Sequence, residues 1–289
     1  MIRDNIRHTT IILAFTALTA CGTTPKTESD DYNDMRGGTV YRTYQKLSIE
    51  AMKPVVKEYN NYLSRQNKSP VGDTHVHALL SLIWIAALEP KYALAESEYA
   101  LNHAADPRDR YATLLLQSIA MHENGWNYLG KKSSLEARSI IKTANLSNSY
   151  DNTRILAHVA GSILAYKEGN IPYVADEIRE LGAATNQDWL VKVGDATQDV
   201  YQGAHSRALA KLEDVKTNSS LTELERNKLD DVISAVKTGG KNVIVNVAKP
   251  VVTLAVITGI QSSPLTGQII QKLPEEHRNK VNGYITASP

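Results

Sequence analysis

The sequence predicts an all-α protein built from short antiparallel helical hairpins stacked side by side. Two observations lead there. From Thr39 onward, apolar residues return at spacings of three and four in one segment after another. The breaks between segments are short and carry Pro, Gly or Asn, so successive helices must turn back on each other.

Residues 40–66 read as a first helix or helix pair, interrupted at Pro54, because proline removes a donor and crowds the preceding turn. HVHALLSLIWIAALE (75–89) is apolar nearly all round and should be buried. Glu89-Pro90 breaks it. KYALAESEYALNHA (91–104) sets Tyr92, Ala95 and Tyr99 on one face. Asp106-Pro107 opens the next helix with an acidic cap and a proline in the first turn. That helix, 108–123, aligns Tyr111, Leu115 and Ile119. Further helices fit 133–145, 152–168, 171–184, 187–202, 205–216 and 221–237, the last with a capping box of Thr222 and Glu225. After Thr238-Gly239-Gly240 the run KNVIVNVAKPVVTLAVITGI (241–260) is apolar and rich in β-branched residues. Asn246, Lys249 and Pro250 interrupt it, which argues against a membrane span. It reads first as a buried helix capping the stack, and second as a segment that contacts a partner or membrane, even as a strand through NVIVNV. A last helix starts at Pro274, followed by Glu275 and Glu276.

The N-terminus is of another kind. MIRDNIRH carries Arg3 and Arg7, a dozen apolar residues follow, and small residues lead into Cys21, the single cysteine. These are the parts of a secretory signal, and the apolar run is too short to span a bilayer. Leu18-Thr19-Ala20-Cys21 resembles the lipobox of bacterial lipoproteins. The resemblance implies cleavage before Cys21, a diacylglycerol on its thiol and an acylated amine. A covalent lipid on Cys21 is then the only prosthetic group expected, and the membrane is the first partner. In that family Gly22, where an aspartate favours inner-membrane retention, implies the outer membrane; the body is expected to face the periplasm. Acylation leaves no thiol for a disulfide, a metal or a nucleophile. The polar stretch GTTPKTESDDYNDMRGG (22–38) reads as a flexible tether with a full stretch of roughly 55–60 Å. The expected organisation is a signal (1–20), a lipidated N-terminus and tether (21–38), a helical body (39–240) and an apolar C-terminal segment (241–289).

With 32 Lys+Arg against 31 Asp+Glu, nothing in the charge points to nucleic acid. The only phenylalanine, Phe15, lies in the signal, and the body uses tyrosine, whose ring packs while its hydroxyl stays hydrogen-bonded.

The helix pair 76–107 resembles a degenerate tetratricopeptide repeat. Ala95, Tyr99 and Pro107 stand at the offsets of that family's small, aromatic and proline positions, while Ile83 replaces its first-helix glycine and Asn102 its second alanine. The pair 152–184 has Gly161, Gly169-Asn170 and Ala175, about one residue out of register. The resemblance covers roughly 75–240. It implies a solenoid with a long concave face suited to holding a peptide or helix.

Several residues invite chemistry. Ser139-Ile140-Ile141-Lys142 is an SxxK and Lys237-Thr238-Gly239 a KTG, which together echo serine β-lactamases and penicillin-binding proteins. The KTG would have to lie on a sheet edge, and no sheet is expected. His75 and His77 are two apart, so on a helix they point in different directions and do not share a metal. His122-Glu123 begins like a zincin motif, but Trp126 stands where its second histidine would be. The remaining histidines, His103, His158, His205 and His277, are read as surface or satisfied core residues. NGWNYLG (124–130) offers Trp126 and Tyr128 on a Gly-flanked, overlong loop as partner-binding anchors, unless Trp126 folds back onto the next hairpin. Trp84 and Trp189 should be core. The functional expectation is a non-enzymatic, lipid-anchored scaffold that binds envelope proteins, in assembly of an outer-membrane machine. Its alternatives are a regulator of peptidoglycan synthases or hydrolases, and a serine hydrolase of the cell wall.

Overall fold

A computed structural model describes residues 26–142, 145–240 and 242–285. The signal, the lipobox and Cys21 lie outside the described residues. Within them every regular element is helical: α1 (Glu28–Gly37), α2 (Thr39–Arg65), α3 (Gly72–Ala86), α4 (Pro90–His103), α5 (Pro107–Glu123), α6 (Asn127–Ile141), α7 (Asp151–Lys167), α8 (Ile171–Thr185), α9 (Asp188–Tyr201), α10 (His205–Asn218), α11 (Glu223–Thr238), α12 (Val243–Ser262), α13 (Thr266–Lys272) and α14 (Glu275–Ile285), with a 3₁₀ turn at Leu146–Asn148.

The boundaries follow local chemistry. Pro90 and Pro107 occupy first turns, and the Asp106 carboxylate accepts the Arg108 N–H at 2.8 Å. Gly125, at φ +85°, lets the chain reverse after α5 so that the Trp126 N–H bonds the Met121 carbonyl at 3.0 Å. The Thr222–Glu225 capping box forms as expected.

Within α3–α6, and again within α7–α12, each helix packs on the next, as short links require. α5 also packs on α7, and α3 reaches α5 and α7, so these three form one layer. Trp84 and Trp189 are buried in the core, as the sequence suggested.

Four expectations need correction. Pro54 does not interrupt α2, which continues because Met52, Val55, Val56, Tyr59 and Leu63 are buried on either side of it. The stretch 28–37 is not a loose tether but helix α1. Thr27 and Asp30 form a capping box at its start, and Lys26 pairs with Asp34 at 2.6 Å. Tyr32 then lays its ring edge-on to Trp126 at 5.5 Å and donates its hydroxyl to Glu98. The supposed overlong loop at 124–130 is three residues long, because α6 begins at Asn127.

The fourth correction concerns the apolar C-terminal run. NVIVNV belongs to helix α12 and not to a strand. Val243, Val247 and Val251 fall one turn apart on a buried face, so tertiary burial outweighs their β-propensity. α12 does not merely cap the end of the stack. It packs on α11 and runs across α7, α8 and α9 to reach α3. Gly259 makes the closest approach: a Cβ there would sit 2.4 Å from Val159 Cγ2 of α7. α12 is long and apolar enough to cross a membrane, but 67% of its most apolar window is buried in the protein. One apolar core runs from Met52 to Val281, so position 240 separates no cores.

Candidate functional site

Three of the buried polar clusters among the described residues centre on a histidine or glutamate and are built between helices. In the first, the Glu96 carboxylate of α4 is 1% exposed and accepts from Tyr44, from Ser48 at 2.5 Å and from His77 Nδ1 at 2.5 Å. Two residues on, Glu98 accepts from Tyr32 and Tyr41 and pairs with Arg36 at 3.2 Å. Burial, reinforced by these carboxylates, holds the Tyr32, Tyr41 and Tyr44 hydroxyls far above the usual phenol range. The second cluster is a chain of contacts. His75 Nε2 meets Asp109 Oδ1 and Thr153 Oγ1, each at 3.1 Å, and His75 Nδ1 meets Tyr59 at 3.2 Å. The Tyr59 hydroxyl in turn accepts from Asn152, whose carbonyl accepts from Ser263 beyond α12. The third pairs His158 of α7 with Glu177 of α8 at 2.7 Å. Gly161 makes room for that carboxylate, because a Cβ there would lie 2.6 Å from Glu177 Oε1.

His75 and His77 do face different ways, and both are satisfied core residues. Among the described residues no group of three His, Cys, Asp or Glu is arranged to hold a metal. His122 Nδ1 bonds Asn127 at 3.1 Å, and His103 Nδ1 bonds the Tyr99 carbonyl at 2.8 Å. The Ser139 hydroxyl donates back to the Glu136 carbonyl of its own helix at 2.7 Å. Lys237 pairs with Glu213 at 2.8 Å, and the KTG ends α11.

The two aromatic anchors of 124–130 separate. Trp126 is 9% exposed and folds back under Tyr32, while Tyr128 is 71% exposed on the first turn of α6. The Glu28 carboxylate of α1 accepts the N–H groups of Tyr128 at 2.8 Å and Leu129 at 3.2 Å, closing the free N-terminus of α6. The segment arriving from Cys21 is thereby fastened beside Tyr128.

Sequence reasoning missed a cavity of about 620 Å³ between the first half of α2, the ends of α3 and α4, and the α13–α14 connection. Tyr44, Trp84, Tyr92 and His277 make one side. Tyr44 stacks on Tyr92 at 4.2 Å, and Trp84 meets His277 edge-on at 5.0 Å. Val40 and Leu47, two turns apart on α2, line it yet are 76% and 63% exposed. Trp84 Nε1 and His277 Nδ1 are buried with no hydrogen-bond partner among the described residues; the indole N–H acts on Tyr44 electrostatically but lies outside hydrogen-bond geometry. A signal was present: Val40 and Leu47 fall off the face of α2 that buries Tyr41, Ser48, Met52 and Val55.

No family model matches the chain, and no curated protein or solved structure matches it either.

Proposed function

We propose that this chain is a lipid-anchored adaptor of the bacterial envelope. Its stacked, tetratricopeptide-like helix pairs hold partner proteins on the periplasmic side of the outer membrane, in the assembly of an envelope complex. The observation that carries the reading is the way α12 is held. α3, α7, α8 and α9 together grip one apolar helix laid across them. A helical stack that seats an apolar helix is a helix-binding scaffold by construction. Because its own α12 fills that face, partner contact is assigned to a surface away from it, at Tyr128, 71% exposed where α1 meets α6.

The docking of α1 sharpens the tethering. Only residues 21–27 separate Cys21 from the start of α1, a span of about 20–25 Å at full extension. Tyr128, fastened to Glu28, therefore works close to the bilayer, where confinement raises the encounter rate with membrane-bound partners.

The test is photo-crosslinking in the protein's own host, from a benzophenone amino acid placed at Tyr128, with Cys21→Ala alongside. We expect crosslinks to envelope assembly proteins that disappear in Cys21→Ala. Partners that co-purify without crosslinking at Tyr128 would move the contact surface elsewhere. No co-purifying partner in either form would end the adaptor reading.

A further inference from the structure

The cavity between α2, α4 and the α13–α14 connection is a large apolar space that the fold leaves open, and its chemistry specifies an occupant. We propose that it binds a single acyl chain carrying an anionic head, the chemistry shared by free fatty acids and anionic lysophospholipids. This inference stands apart from the adaptor reading and does not depend on Cys21.

Size comes first. A volume of about 620 Å³ lies within the range of pockets that enclose small organic ligands. The lining comes second. Val40, Leu47 and Leu273 offer hydrocarbon, Met52 a thioether and Trp84 a ring face, so the lining is mainly apolar despite the hydroxyls of Thr39, Thr43 and Ser48. An alkyl chain entering this space brings no polar group that must be re-paired. A peptide would bring an N–H and a C=O with every residue, and such a lining leaves most of them unpaired at a cost in free energy. The lining therefore selects against peptide and for hydrocarbon. The exposed Val40 and Leu47 side chains, costly to leave in water, are what such a chain would cover.

The polar end comes third. Lys272 lines the same cavity and makes no ion pair among the described residues. His277, one turn into α14, has Nδ1 buried and without a partner. Both belong to the α13–α14 wall of the cavity, and Val40 and Leu47 to its α2 wall. A carboxylate or phosphate at the first wall would pair with the Lys272 ammonium, while its tail lies along the second.

The experiment is calorimetric titration of the full chain with palmitate and with lysophosphatidylglycerol, each below its micelle-forming concentration. Neutral hexadecanol and an octapeptide ending in leucine serve as comparisons. Leu47→Asp and Lys272→Ala are both at exposed positions, and circular dichroism verifies their folding. We expect saturable one-to-one binding of at least one anionic lipid. Lys272→Ala should weaken it about tenfold, the scale of one lost charge-assisted contact, and Leu47→Asp should abolish it. Palmitate alone binding assigns the head as a carboxylate, and lysophosphatidylglycerol alone assigns it as a phosphodiester; either supports the proposal. Absence of saturable binding for both lipids, binding indifferent to both substitutions, or tighter binding of the peptide than of either lipid would overturn it.

Discussion

Glu96 shows how much of this protein is decided by single side chains. The two glutamates of AESEYA (95–100) are both buried, although carboxylates are rarely fully buried unless paired. What makes burial tolerable is not local. Tyr44 and Ser48 come from α2 and His77 from α3, and only the assembled fold brings three donors to one carboxylate. Removing a donor strands charge in a dry place. His77→Ala is expected to cost about 3 kcal/mol, near the low end for a broken buried pair because Tyr44 and Ser48 remain. Urea unfolding of the variant measures it, and a loss under 1 kcal/mol would mean that water reaches the site. The divergence of His75 and His77 was legible from their spacing alone. Their partners were not, because Asp109 and Glu96 lie 34 and 19 residues away and no local pattern links them.

At the scale of elements, helix positions were well marked in the sequence and helix contacts were not. Prolines, the acidic caps and the apolar periodicity locate α3, α4, α5, α7 and α8 to within a few residues. α1 escaped because it buries no residue fully and is held by hydroxyl–carboxylate contacts that composition does not record. The start of α6 escaped because Trp126 and Tyr128 resemble loop anchors until Glu28 is seen to cap the turn. α12 shows the limit of propensity. Its valines favour strands in isolation, and its position across α7 is fixed by the gap at Gly259. Gly259→Ala inserts a methyl where Val159 already sits. It is expected to destabilise the protein by about 1–3 kcal/mol and to loosen α12 first. Hydrogen exchange should then quicken along α12 before it does along α3; uniform acceleration would show that the two helices open together. The cavity beside α2 was half legible, since Val40 and Leu47 lie off the buried face, but its far wall comes from α14, more than 200 residues on.

The whole molecule has an alkaline limit written into its tyrosines. Burial pushes the Tyr59 and Tyr111 hydroxyls up to about 12, and Tyr32, Tyr41 and Tyr44 further still. A folded-state value above the unfolded phenol value of about 10 means that the fold holds these protons more tightly than the open chain does. The resulting stability is complete below about pH 10 and drains away as pH rises towards 12. Tyr59 and Tyr111 lie in one core, and Tyr32 and Tyr44 pack against it, so loss should be cooperative. Phenolate absorbance and helical circular dichroism, followed together against pH, are expected to change in a single step. A gradual rise of phenolate with helicity intact would place these hydroxyls in contact with water.

The position of α12 in the chain also sets an order of events. The face that it covers, on α3, α7 and α9, is complete once residue 201 has been made, but its cover ends at residue 262. A chain that folds in order from its N-terminus therefore completes this face before the residues that cover it arrive. Until α12 docks, each copy displays a helix-sized apolar surface. Any passing helix can compete for it, and after that the chain has closed it with its own.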